Sequence, residues 1–166
     1  MVGVQRGMDI FGISVLGVVT AVGGGATRDI ILGIVPPGMF QNPIYTIVAT
    51  VTSCIVFAIM YWKQELLEGE NRLVYDKIML VMDSVGLGVF TVMGVDKGIT
   101  EGYMGRTFFL VFLGTVTGVG GGLIRDMMAG VPPYIFVRHI YACASIVGAI
   151  ACVWVYPVSY THLRAH

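Results

Sequence analysis

Apolar residues in this chain come in long blocks broken by short polar stretches, with no strand-like alternation. Five blocks are readable, at 10–34, 43–62, 78–95, 107–131 and 134–156. A helix that crosses a bilayer needs roughly 20 mainly apolar residues, and these blocks have about that length. Lipid-facing barrel strands would alternate apolar and polar positions, so helices are predicted throughout. Pro36-Pro37 and Pro132-Pro133 close the first and fourth blocks, because proline cannot continue a helix without losing a backbone bond. The mixed-charge connection KQELLEGENRLVYDK, 63–77, is read as a solvated face between the second and third blocks. The pattern predicts an all-α polytopic membrane protein of the cell inner membrane.

Composition agrees. Of 166 residues, 56% are hydrophobic and 12% charged, against about 25% charged in an average soluble domain. Net charge is zero, and no basic cluster offers a footprint for nucleic acid. Cys54, Cys143 and Cys152 lie in apolar blocks without a CxxC spacing; they read as small hydrophobes. No leader with a cleavage site precedes the first block. Lys and Arg counts put Arg6, Lys63, Arg72, Lys77 and Arg138 on one side and Lys97, Arg106 and Arg164 on the other. The first side is the cytoplasmic candidate. Tyr61, Trp62, Trp154 and Tyr156 stand at block ends, where amphipathic rings favour headgroups.

The first block contains GGGATRD and the fourth contains GGGLIRD. Around them Phe11, Leu16, Gly17, Val19, Thr20, Val22 and Gly33 also recur, from Phe108 to Gly130. After a one-residue deletion, Pro36-Pro37 matches Pro132-Pro133, Phe40 matches Phe136 and Tyr45 matches Tyr141. Three crossings separate the starts of the two copies. An odd number reverses direction, so the copies are predicted to be antiparallel, the inverted-repeat arrangement of many transporters. VGVQRG, 2–7, resembles MGVDKG, 93–98. The second copy has a helix before that peptide, so the first unit (1–62) is expected to lack its leading helix. The second unit spans 78–156; the tail 157–166 loses the membrane pattern and is set aside from the fold reading as a candidate non-native segment.

The glycines and charges carry the candidate chemistry. Each helix-interior glycine costs roughly 1 kcal/mol relative to alanine, so Gly23, Gly24 and Gly25, like Gly120, Gly121 and Gly122, mark weak points. Two compatible readings stand. One is close packing, with Gly114, Gly118 and Gly122 as a small-residue ridge matched by Gly17, Ala21 and Gly25. The other is a kink whose half-helix carbonyls line a polar path. Arg28, Asp29, Arg125 and Asp126 are costly in lipid, about 2.5–3.5 kcal/mol each on the insertion scale. Neighbouring helical residues do not face one another, so reciprocal pairs are expected: Arg28 with Asp126 and Arg125 with Asp29. The alternative is that each arginine snorkels to the interface. Asp83 either caps a helix end or adds negative charge to the same site. Thr20 and Thr117 either line a path or bond their own helix. GVGGGL lacks the third glycine of a dinucleotide fingerprint. His139 stands alone, and Ser53 and Ser145 have no base partner, so neither a metal site nor an enzyme is expected.

Paired GGGxxRD motifs in two inverted units, the second opening on Asp83-x-x-Gly86, resemble the bacterial and archaeal trimeric intracellular cation channel-like family, also described by its glycine-transporter domain. The resemblance covers nearly all of 2–156. It implies a seven-helix fold, two inverted three-helix repeats plus a final helix, of which five helices are present here, assembled as a homotrimer with a pore in each protomer. It carries pore or substrate contact onto Gly23, Gly24, Gly25, Arg28, Asp29, Gly120, Gly121, Gly122, Arg125 and Asp126, with Asp83 added. The expected function is transport of a small solute through the lipid bilayer without a cofactor. A potassium-like monovalent-cation channel leads, with a glycine uptake transporter and a non-transporting scaffold as alternatives.

Overall fold

The computed structural model describes residues 7–62, 71–137 and 139–163. All regular structure among them is helical. In chain order the helices are α1 (Ile10–Ile31), α2 (Gly38–Gln41), α3 (Ile44–Trp62), α4 (Asn71–Gly98), α5 (Thr107–Met128), α6 (Tyr134–Val137) and α7 (His139–Leu163). A five-residue π-helical turn, Ile99–Tyr103, extends α4. The long helices α1, α3, α4, α5 and α7 correspond to the five apolar blocks. The short α2 and α6 occupy equivalent places in the two repeats.

Several boundaries differ from the sequence expectation. The first and fourth blocks end as helices before their prolines. Gly33 (φ 73°) and Gly130 (φ 63°) take the left-handed conformation just past α1 and α5. Gly33 N–H donates to Ile30 O and Ile34 N–H to Asp29 O. Gly130 N–H donates to Met127 O and Val131 N–H to Asp126 O. This is the glycine-terminated helix end in which a residue without Cβ lets the chain turn back onto the orphan carbonyls. At its other end α1 is capped by Asp9, whose carboxylate accepts from Gly12 N–H at 2.8 Å, as N-cap acids do.

The third block is longer than its apolar part. α4 starts at Asn71, inside the polar connection, and reaches Gly98. The fifth block splits into α6 and α7, and α7 continues to Leu163, so part of the set-aside tail is helical. Residues 63–70, together with Arg6, Arg138 and Arg164, lie outside the described residues, and with them half of the orientation count.

Two described helices, α1 and α5, are each long and apolar enough to cross a bilayer, and Ile44–Val56 and Ala142–Tyr156 form shorter apolar stretches. Large apolar side chains point outward, among them Phe11, Phe40, Phe108, Phe136 and Trp154. In water this much exposed apolar surface would be a liability; against hydrocarbon it is the expected exterior. The interior is small. Val95, Ile99, Leu110, Ala149 and Val153 form the buried cluster, flanked by Tyr103, Val111, Cys152 and Tyr156. Every member of that cluster belongs to the second repeat or to the turn within it.

Candidate functional site: two glycine-arginine-aspartate motifs at a helix crossing

The two repeats meet where their glycine triplets touch. A Cβ on Gly24 would stand 2.1 Å from Thr117 O, and one on Gly121 would stand 2.2 Å from Thr20 O. A Cβ on Gly120 would stand 3.1 Å from Gly24 Cα, and one on Gly23 would stand 3.6 Å from Gly121 Cα. The backbones therefore lie against each other with nothing between them, as small-residue helix contacts in membranes allow. The contact is reciprocal: each triplet sits on the carbonyl of the threonine that precedes the other.

This geometry corrects one expectation about the triplets. Both helices run without interruption through their glycines. No half-helix ends are created there, and the Thr20 and Thr117 carbonyls are covered by the opposing glycines. The hydroxyls of Thr20 and Thr117 donate to Leu16 O and Leu113 O, each at 2.6 Å, so they bond their own helices. The packing reading holds for the first two glycines of each triplet. The ridge of Gly114 and Gly118 faces α4 and α7, with Val95, Thr91, Ser145 and Ala149 around it, and Gly17 faces Ser53 of α3.

The reciprocal ion pairs are also corrected. Arg28 Nε and Nη2 donate to Asp29 Oδ1 at 2.9 and 2.7 Å. Arg125 Nε donates to Asp126 Oδ1 at 2.9 Å. Each arginine thus pairs with its own neighbour. Because α1 and α5 run in opposite senses and touch at the triplets, the two Arg-Asp pairs lie on opposite sides of the crossing. Each is a few residues away from it, and at 1.5 Å per residue a cross-pair would have to span roughly 12 Å. The rule that i and i+1 do not face one another applies to stiff positions, and a long guanidinium stem bends around the last helical turn.

Both arginines occupy that last turn, where cations favour the carbonyl end of the helix dipole. The aspartates, 4% exposed at the side chain in each case, would be disfavoured there alone. Asp29 is compensated twice, since its Oδ2 accepts Gly38 N–H at 2.8 Å. Gly38 opens α2, so the carboxylate fastens the returning segment to α1 and supplies negative charge to the start of the short helix. That backbone donor was not visible in the sequence, although Gly33 followed by Pro36-Pro37 marks the turn that delivers it.

Asp83 joins only the second site. It lies in the interior of α4, not near its end as one expectation had it, and its Oδ1 is 3.8 Å from Arg125 Nη1. With Arg125 at 23% and Asp83 at 33% side-chain exposure, this is the more open of the two charged sites. Above it α4 and α7 share a hydroxyl pair that sequence reasoning missed. Thr91 Oγ1 and Ser145 Oγ are 2.8 Å apart and buried.

Comparison with known proteins agrees with this architecture. The family model described as glycine transporter matches residues 1–61 and 80–157, one segment for each repeat. The chain belongs to that family. Among relatives in it, the UPF0126 membrane protein of Deinococcus radiodurans is 36% identical over 167 residues, covering 99% of this chain and 72% of that protein. The UPF0126 inner membrane protein YadS of Escherichia coli K12 is 42% identical over 144 residues, covering 86% of this chain and 64% of YadS. The chain therefore spans about two thirds of the length of these relatives. Among solved structures, the TRIC trimeric intracellular cation channel orthologue from Rhodobacter sphaeroides superposes with a TM-score of 0.81 at 30% identity, over 95% of this chain and 75% of that one. A prokaryotic TRIC channel crystallised in 0.5 M KCl gives a TM-score of 0.81 at 30% identity, over 93% and 74%. This glycine-transporter-family chain is thus a multi-pass inner-membrane protein with a membrane channel or transport role.

Proposed function

We propose that the chain forms the wall of a potassium-like monovalent-cation channel, one path per protomer of a homotrimer. The observation that carries the reading is the 0.81 TM-score to the TRIC cation channel orthologue over 95% of this chain, at 30% identity. The charged sites fit it. Arg28 with Asp29 is neutral as a pair, whereas Arg125 with Asp126 and Asp83 carries one net negative charge. In a low-dielectric wall that surplus attracts a cation more than it would in water. The loose 3.8 Å contact of Asp83 leaves its carboxylate partly free to meet an ion. Gly23, Gly24, Gly120 and Gly121 hold the two helices at contact distance, while Gly25 and Gly122 flank the charged groups.

The test is reconstitution into planar bilayers and liposomes. Ohmic unitary currents with a reversal potential following the K⁺ gradient are expected, and Asp83→Asn lowers conductance and cation preference. Saturable glycine uptake without unitary currents would replace the channel by the carrier that the family's description names. If the folded wild-type protein carries neither currents nor glycine uptake, and Arg28→Ala with Arg125→Ala only weakens trimers, the scaffold reading wins.

A further inference from the structure

The third glycine of each triplet does something the other two do not. Gly25 and Gly122 are half-buried, yet among the described residues no atom of another helix comes within 4 Å of a Cβ built on either. Around a Cβ built on Gly25 the sole atom recorded within 4 Å, apart from its own helix backbone, is Arg28 Nη2 at 3.8 Å. Around one built on Gly122 it is Arg125 Nη2 at 3.7 Å. The same contact appears in both repeats although their surroundings differ. Helix geometry explains it: a long side chain leans toward the N-terminus over the residue three positions back, and there it meets a glycine. The guanidinium lies so close along the backbone that a bare Cβ would just touch it and a longer side chain on that side would meet it, and in this position its Nε bonds the adjacent aspartate.

We infer that Gly25 and Gly122 are charge-positioning residues, seats that fix where the guanidinium groups of Arg28 and Arg125 stand beside the path. The functional consequence rests on the permeation reading above; the seat itself rests on geometry alone. At Gly122 the seat also sets the spacing between Arg125 and Asp83, and with it how much of the Asp83 charge is left for a cation. A side chain with a γ-carbon at either position occupies the volume of Nη2, lifts the guanidinium and loosens its bond to the aspartate.

The experiment is a size series, Gly122→Ala, Gly122→Val and Gly122→Leu, in the full chain reconstituted in liposomes. Two quantities are read: the rate of Arg125 modification by phenylglyoxal, mapped by mass spectrometry, and the reversal potential in a KCl gradient. Modification is expected to rise with side-chain size, roughly threefold or more for Leu, as overpacking displaces the group. The reversal potential should move in the same order, and the Gly122→Val shift should vanish in an Arg125→Gln background. Gly86→Val, in open space on α4, leaves Arg125 labelling at the wild-type rate. If Val and Leu fail to fold, Gly122→Ser, the smallest side chain with an atom beyond Cβ, reports the labelling rate, while the Ala variant, whose added atom makes an ordinary contact, should stay near wild type. Unchanged labelling across the folded variants larger than Ala overturns the seat. Increased labelling with an unmoved reversal potential, or an equal shift without Arg125, overturns its role in charge placement. Absence of currents from the wild-type protein overturns the permeation reading instead, and labelling then decides the seat.

Discussion

The two repeats carry the same motif in unequal surroundings. Around α5 the helices α4 and α7 close in: Thr117 and Gly118 are buried, and a Cβ on Gly114 would meet Val95, Thr91 and Ala149. Their counterparts on α1, Thr20, Ala21 and Gly17, are half-buried, and the atoms nearest a Cβ on Gly17 all belong to Ser53. Arg125 has Asp83 as well as Asp126, whereas Arg28 pairs with Asp29 alone among the described residues. The motif fixes the crossing and the local ion pair identically in both copies. How well each copy is sealed, and whether a third charge joins it, depends on the helix packed against its flank.

The largest expected effect falls on what the halves share. Gly24→Ala and Gly121→Ala each drive a Cβ into a backbone carbonyl, which cannot rotate away. Each should destabilise the fold by about 3 kcal/mol or more, and by similar amounts, as read from thermal unfolding in detergent. A large difference between them would show that the crossing is less symmetric than its contacts.

The charged pairs sharpen the contrast. Asp29→Asn removes the carboxylate that serves both Arg28 and Gly38 N–H and should cost roughly 3 kcal/mol, the scale of a broken buried pair. Asp126→Asn breaks the matching pair but leaves Arg125 a second carboxylate, Asp83, so its loss should be the smaller of the two, about 2 kcal/mol. Equal losses in chemical denaturation would mean that Asp83 is too distant to compensate. The smallest effects concern the flanks. Leu110→Ala, at a site 1% exposed against Gly98, should cost about 2 kcal/mol as a cavity within helix packing. Ile13→Ala, its half-buried counterpart, should cost under about 1 kcal/mol. A reversal of that order would undo the claim that the second repeat holds the core.

Much of the architecture was legible because the relevant signals are local or repeated. Block length gave the long helices, and the doubled motif with its odd number of crossings gave the inverted arrangement. Gly33 and Gly130 followed by paired prolines contained the helix ends, although the prolines were the residues read as stops. The ion-pair partners were not legible. Periodicity says which faces positions occupy, but not that a flexible arginine stem can turn back on its neighbour. The contact between Asp29 and Gly38 was hidden for a related reason: a backbone donor leaves no side-chain signature. Asp83 looked like a helix-end residue because the polar first turns of α4 were taken for a loop.

The sequence by itself determined that this chain forms membrane helices in two related units and that each unit brings three glycines and an Arg-Asp pair to one place. Hydrophobic block length and internal repetition suffice for that, since both are written along one strand of chain. Only the tertiary structure decided that the glycines meet carbonyl to Cα, that the third glycine borders a guanidinium, and that one of two equal motifs acquires a third charge. Those outcomes depend on distances between helices, and a chain sequence fixes such distances only through packing that all the helices settle together.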